Sequence, residues 1–304
     1  MISIVITAFN EPKTIGKCIE SIINQNITED YELYISAPDK ETQDITKKYI
    51  QQNTNKNIQL FQDPGKGKSY ALNLLLPKLK GEIIILTDGD VYLSNDSINN
   101  ILYEFKSNKN IGCVTGRPTP QEDKTTKFGF WANFLFDSAH RLRKKLKQQN
   151  QFLECSGYLW AFKNNIIKSF PLDVAEDTVV PFFFHKKGYQ IGYAENARVF
   201  VKNTDNIKDW LEQKTRTVKA HEKIKRYTKP KTNSENIKRA PQTKTFLNEI
   251  KGITKVLTYP NSPKELFWIS QLVGLRLYIW IKAYTSFLSG TEYQDAWKRV
   301  ESTK

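Results

Sequence analysis

Asp88-Gly89-Asp90 sets two carboxylates two residues apart, directly after a run of aliphatic residues and a threonine. Two hard oxygen ligands at that spacing suit Mg²⁺ or Mn²⁺, with water and phosphate oxygens filling the remaining positions. An acidic turn is the plain alternative, because Asp-Gly is a common turn pair. Asp63-Pro-Gly-Lys-Gly-Lys-Ser-Tyr-Ala-Leu-Asn73 is a Gly/Lys loop running into a helix. It lacks the four-residue spacer between the glycines of a Walker A loop. A lysine at a helix N-terminus, here Lys68, still suits a phosphate or a base carbonyl, because free backbone N–H groups and the helix dipole add to its charge. Glu176-Asp177 opens another candidate helix, where the dipole itself favours carboxylates. Facing a desolvated pocket, such a carboxylate is also a candidate general base for a hydroxyl proton. Gln213 and Arg216 lie on an amphipathic stretch that begins near Asp209. The planar guanidinium of Arg216 suits a departing diphosphate, while a solvated surface arginine is the alternative.

These groups act together only if a scaffold gathers them. Ile2 to Thr7 and Glu82 to Thr87 are nearly continuous apolar runs, the pattern of strands covered on both faces, and Glu32 to Ser36 reads as another strand. Between them, Ile15 to Asn24 and Ser69 to Leu79 carry apolar residues at helical spacing. Alternating strands and helices predict a mostly parallel α/β sheet flanked by helices, with ligands beyond the carboxyl ends of the strands. The residues at those ends are Ala8-Phe9-Asn10-Glu11, Ala37-Pro38-Asp39 and Asp88-Gly89-Asp90.

A chain of 304 residues with 39% hydrophobic and 12% aromatic content can bury a large core, which excludes disordered and collagenous classes. The three cysteines have neither CxxC nor Cys/His spacing, so neither a zinc ribbon nor a disulfide scaffold is expected, and a cytosolic setting follows. MISIVITAFNEP reads as a strand, not as a leader, and no signal peptide is expected. The net charge is +14, and Lys202 to Lys244 holds 13 Lys/Arg against 5 Asp/Glu. The excess is therefore local, and it lies away from the acidic motifs.

In chain order, SIVITAFNE, Asp39, GKGKSYALN, TDGDV, CSGYLWAFK, AEDTVV, KKGYQIGYAENARV and QKTRTV resemble the inverting glycosyltransferases of family 2, over roughly residues 1–222. The resemblance implies a GT-A fold, a Rossmann-like mixed sheet, mostly parallel, between helices. It also implies metal-dependent transfer of a sugar, hexosyl or N-acetylhexosaminyl, from a nucleotide-diphosphate donor, with UDP favoured. The acceptor implied is a hydroxyl or phosphate of a lipid-linked or surface-glycan molecule. On that resemblance Ala8, Phe9 and Glu11 would border the base and ribose, Asp39 would hydrogen-bond the base, and Lys68 would lie beside it or the phosphates. Asp88, Gly89 and Asp90 would form the Asp-x-Asp element, with Asp90 the direct ligand of Mn²⁺ or Mg²⁺ and Asp88 beside it. Gly157 would leave room for sugar and acceptor. Asp177 would be the catalytic base, with Glu176 orienting the site. Gln213 and Arg216 match the Gln-x-x-Arg element that closes over the diphosphate in membrane-associated members. Thr217 stands where that element often has Trp, which points to transfer of one or a few sugars rather than processive polymerisation.

Two segments bear on the setting. Leu266 to Leu288 is long enough to span a bilayer, but Gln271, Arg276 and Lys282 interrupt it. An amphipathic helix lying in the interface fits better, with Trp268, Tyr278, Trp280 and Tyr284 near headgroup depth; a single span and a core helix docked on the domain are the alternatives. Phe128 to Lys147, aromatic and then basic, is a second candidate for an anionic membrane surface, or else a buried cluster followed by a solvated helix end. The expected organisation is a catalytic domain over 1–225, a basic linker over 226–262 and an amphipathic helical segment over 263–304. The expected location is cytoplasmic, peripheral on the inner face of the cell membrane. A nucleotidyltransferase and a basic nucleic-acid-binding protein are the rival functions. Nucleic acid is not an expected partner, because no nucleic-acid motif appears and the acidic elements would oppose a phosphate backbone.

Overall fold

The computed structural model describes residues 1–224, 227, 256 and 258–288. Strands β1 (Ile2–Thr7), β2 (Tyr31–Ala37), β3 (Ile58–Gln62) and β4 (Ile83–Asp88) pair in parallel. β7 (Leu159–Lys163) then runs antiparallel between β4 and β6 (Ile111–Pro120). β8 (Gln190–Val201) returns parallel to β6, and β5 (Val91–Leu93) closes the sheet antiparallel to β8. The eight strands lie in the order β3-β2-β1-β4-β7-β6-β8-β5. This is the mixed, mostly parallel α/β arrangement expected of a GT-A fold, with its four leading strands ending on one side.

Every residue of β1 is buried, which explains its unbroken apolar run. Ile2, Ile4 and Ile6 face a layer formed by α1 (Ile15–Ile23), α2 (Lys40–Gln52) and α4 (Ser97–Ser107). Val5, with Ile84 and Leu86 of β4, faces α3 (Lys68–Leu75) and α6 (Glu176–Lys186) on the other side. The apolar spacing read over Ser69 to Leu79 is split, because Pro77 removes a backbone donor and the last turn tightens to a 3₁₀ helix over Leu76–Lys78.

A further helical layer packs outside the sheet. α5 (Lys127–Gln148), α7 (Ile207–Lys223) and α8 (Pro263–Leu288) share an aromatic core of Phe130, Trp131, Phe134, Trp210, Ile269, Leu272 and Trp280. This corrects the membrane-facing reading of Phe128 to Lys147. Phe130, Trp131 and Phe134 recur at helical spacing and are buried by α7 and α8, and Lys144 and Lys147 pair with Glu195 and Glu104. It also corrects the expectation for Trp280, which is 4% exposed against the domain. The opposite face of α8 does present Leu266, Phe267, Leu277, Tyr278 and Ile281 to solvent. Among the described residues no helix is long and apolar enough to cross a membrane.

Trp131 Nε1 donates to the Trp268 carbonyl at 2.7 Å, tying α5 to α8 in an apolar setting. Trp131→Phe keeps most of the packing and removes that bond, while the carbonyl stays within the helical ladder of α8, so unfolding stability should fall by about 0.5–1.5 kcal/mol for the bond itself. An unchanged denaturation midpoint would show that this bond contributes nothing. Tyr227, in the stretch read as a linker, donates to Asp173 at 2.5 Å and meets Phe183 of α6 edge-on, so it packs on the sheet-flanking layer. Most of the stretch read as a linker, and residues 289–304 of the C-terminal segment, lie outside the described residues.

Candidate active site

The carboxyl ends of β1, β2 and β3 open onto a cavity of about 250 Å³ lined by Ala8, Phe9, Pro38, Asp63, Gly65 and Lys68, among others. Ala8 and Phe9 thus line the cavity at the strand ends. Asp39 is the N-cap of α2: Oδ1 accepts from Thr42 N at 2.9 Å and Oδ2 from Asn10 N at 2.7 Å. Burial opposes its charge, but the hydrogen bonds from Thr42 and Asn10 outweigh that and hold its carboxyl below the usual range. Asn10 has φ 56°, a left-handed conformation that asparagine adopts more readily than most residues, and its contact with Asp39 ties the β1 loop to α2. Asp63, quoted in the sequence only as the start of the Gly/Lys loop, lines the cavity itself. Its carboxylate accepts from Ser36 Oγ at 3.0 Å and Gly65 N at 2.7 Å, while burial pushes its pKa up. Its position just past the end of β3, equivalent to Asp39 after β2, was the signal that could have found it.

The Asp88-Gly89-Asp90 turn caps β4. Lys68, 9% exposed at the start of α3, bridges Asp88 Oδ1 at 2.7 Å and Glu176 Oε1 at 2.8 Å. Burial alone would favour the neutral amine, but the two carboxylates outweigh it and keep Lys68 charged. Lys68 thus joins the acidic turn to the first residue of α6, two motifs far apart in sequence. Gly89 is required here, because a Cβ would overlap Glu11 Oε2 and lie 2.7 Å from Ala8 Cβ. Glu11 is buried beneath this turn, not placed in the cavity wall. Cys18 donates to the Asp88 carbonyl, and burial, reinforced by Glu11, Asp90 and Asp88, pushes its thiol up and keeps it protonated.

On the other side of β4, Asp177 occupies the first turn of α6. Its Oδ2 accepts from Gly157 N at 2.7 Å and its Oδ1 from Thr178 Oγ1 at 3.1 Å, so its orientation is set from two sides. Gly157 contributes a backbone donor to the candidate base, and a Cβ there would meet Asp177 Oδ2 at 3.2 Å, so the space beside it is filled by that carboxylate. Tyr158, which the sequence reading did not single out, follows directly. Burial, then Asp90 and Asp88, push its phenol up, and Arg216 and Asp177 also act on it. The charges of Asp88, Asp90, Asp177 and Arg216 are therefore all felt at one phenol. Arg216 is exposed on α7, and Gln213, one turn earlier, is half-buried. Thr217 donates back to the Gln213 carbonyl at 3.0 Å.

This arrangement offers a cavity at the strand ends, two hard carboxylates in the turn that Lys68 of its wall contacts, a carboxylate fixed at the start of α6 and an exposed arginine on α7. Among the described residues no group of three or more ligating side chains closes around a metal ion. The carboxylate oxygens of Asp88 and Asp90 are of the hard kind that Mg²⁺ or Mn²⁺ takes together with phosphate oxygens and water, so the chemistry of these donors fits.

Comparison with known proteins is consistent with that chemistry. The model of "Glycosyl transferase family 2" matches residues 3–170. Chondroitin synthase of Escherichia coli is 28% identical over 134 residues, 43% of this chain and 19% of that protein. Poly-beta-1,6-N-acetyl-D-glucosamine synthase of Staphylococcus epidermidis is 23% identical over 221 residues, 71% of this chain and 53% of that protein. The chain thus spans about half, or much less, of the length of these curated relatives. Among solved structures, a mannosyltransferase of Pyrobaculum calidifontis in complex with GDP-Man and Mn²⁺ aligns with TM-score 0.63 at 16% identity, covering 94% of this chain and 80% of that one. That likeness concerns the fold.

Proposed function

Because the chain belongs to glycosyl transferase family 2, we propose that it transfers a sugar, with inversion, from a nucleotide-diphosphate donor to an acceptor hydroxyl. The observation that carries this reading is the joining of the acidic turn to the start of α6, with Lys68 of the cavity wall bridging Asp88 and Glu176 and with Asp177 held by Gly157 N. Ala8 and Phe9 border the base and ribose in that cavity, with Asp63 and Asp39 as its acidic neighbours. Asp90, with Asp88, would hold the divalent cation. When bound, that cation neutralises charge on the diphosphate.

Asp177, oriented by Gly157 N, takes the proton of the acceptor hydroxyl as its oxygen bonds to the anomeric carbon. The bond from that carbon to the diphosphate oxygen breaks on the opposite face, and the electron pair leaves with the nucleoside diphosphate. Arg216 stabilises the departing charge. Glu176 holds Lys68 and so keeps Asp88 and the start of α6 in register. UDP is the proposed nucleotide, on family resemblance. The test is incubation with a panel of nucleotide sugars and Mn²⁺ or Mg²⁺, with free nucleoside diphosphate measured. Release from at least one donor is expected; silence across the panel, or release of inorganic diphosphate instead, would favour a different reaction such as nucleotidyl transfer.

The acceptor proposed is lipid-linked or a surface glycan, met at an anionic membrane by the outer face of α8. That face presents Phe267 and Ile281, 61% and 64% exposed, with Lys264 and Lys282 also in solvent. Binding to anionic vesicles should weaken with salt, and Phe267→Glu should weaken it at least about tenfold, given the value of burying one such side chain. No vesicle binding by the unaltered protein at any salt concentration would remove the membrane from this reading.

A further inference from the structure

We propose that Tyr158 is a sugar-positioning residue whose hydroxyl hydrogen-bonds the sugar being transferred, between the diphosphate side of the site and the Asp177 carboxylate. The proposal rests on the glycosyltransferase reading above and extends it to a residue of the CSGYLWAFK segment that the resemblance gives no role.

Its backbone joins the two halves of the chemistry. The preceding residue, Gly157, holds Asp177 through its N–H at 2.7 Å. The carbonyl of Tyr158 itself accepts from Thr87 Oγ1 at 2.7 Å, and Thr87 immediately precedes Asp88. Tyr158 is thus pinned between the candidate base and the acidic turn. Its ring is held by stacking on Phe136 of α5, with centroids 6.4 Å apart and planes inclined by 27°.

The hydroxyl does different work from the ring. Among the described residues it makes no hydrogen bond, and the residue is half-buried, not sealed in the core. Packing accounts for the ring alone. A phenol carries one donor and can also accept, and it has no charge with which to hold a diphosphate. On a residue whose backbone is fixed between Thr87, next to the acidic turn, and Gly157, next to Asp177, it matches a ligand with neutral hydroxyls that both donate and accept. A sugar bound between the diphosphate and the Asp177 carboxylate is such a ligand.

Tyr158→Phe removes the hydroxyl and keeps the stacked ring. Measured on the full chain with a nucleotide sugar that the unaltered protein cleaves, kcat/KM should fall roughly 5- to 50-fold, the range for one hydrogen bond and the group it leaves unpaired. Affinity for the free nucleoside diphosphate with Mn²⁺ should stay within about twofold, since that ligand lacks the sugar. That second measurement also reports that the variant is folded. Discrimination between donors differing at a single sugar hydroxyl should narrow as well. Phe136→Leu, which keeps the hydroxyl and loosens the ring, should reduce thermal stability more than Tyr158→Phe does. Unimpaired kcat/KM in Tyr158→Phe would overturn the proposal, and so would an equal loss of affinity for nucleoside diphosphate and nucleotide sugar, which would put the hydroxyl on the diphosphate. If the unaltered protein cleaves no donor at all, the transferase reading fails instead, so the two failures are told apart.

Discussion

Asp177→Asn should lower kcat by about 10²- to 10⁴-fold, the usual contribution of a general base, while leaving donor affinity close to normal. The substitution is nearly isosteric. The Asn carbonyl oxygen can still accept from Gly157 N, which now meets the carboxylate at 2.7 Å, so the side chain keeps its place while losing the ability to take a proton. Donor binding, followed as the rise in melting temperature with nucleotide sugar and Mn²⁺, should persist because bound ligand stabilises by mass action. Asp90→Ala gives the contrasting result: that metal-dependent rise should itself shrink. Near-normal turnover in Asp177→Asn would show that another group removes the proton.

Lys68→Met should produce the largest loss of stability. The lysine, Asp88 and Glu176 side chains are 7%, 16% and 8% exposed, so the triad is screened little by solvent. Methionine fills similar space but leaves two carboxylates facing each other without their shared cation. Removing one partner of a buried ion pair typically destabilises by about 3–5 kcal/mol. At about 2–4 °C per kcal/mol for a domain approaching this size, the melting temperature should fall by roughly 6–20 °C. Combining Lys68→Met with Glu176→Gln should recover part of the loss, because the repulsion and the unpaired charge are then relieved together. If the two substitutions were simply additive, the bridge would not couple the acidic turn to α6.

The legible parts of this chain are those where a local pattern and the tertiary environment agree. β1 and β4 are buried on both faces, so their unbroken aliphatic runs had one reading. Ile15, Cys18, Ile19 and Ile22 of α1, picked out by spacing, are all fully buried. The strands that complete the sheet were harder to see. β5 has only three residues, and the antiparallel placement of β7 depends on partners distant in sequence. The aromatic stripe of α5 shows the limit most plainly: Phe130, Trp131 and Phe134 announce burial, but helical spacing is the same whether lipid or another helix covers them. At the site, acidic pairs were readable as chemistry because charge beside a buried strand is unusual. Tyr158 carried no such mark. A tyrosine after a glycine has many ordinary roles, and only the fold ties its backbone to Thr87 beside the acidic turn, with its neighbour Gly157 bonded to Asp177.

The bond between Trp131 and Trp268 joins residues 137 positions apart. At ribosomal rates of about 5–20 residues per second, the second partner follows the first by roughly 7–27 s. Trp210 of α7 is made within that interval and can cover part of the stripe of Phe130, Trp131 and Phe134, but α7, with Gln213 and Arg216, still lacks the helix that later packs behind it. Synthesis therefore leaves α7 half-supported until α8 has emerged, and for those seconds the rest of the aromatic stripe is a surface on which chaperones or other nascent chains compete with α8.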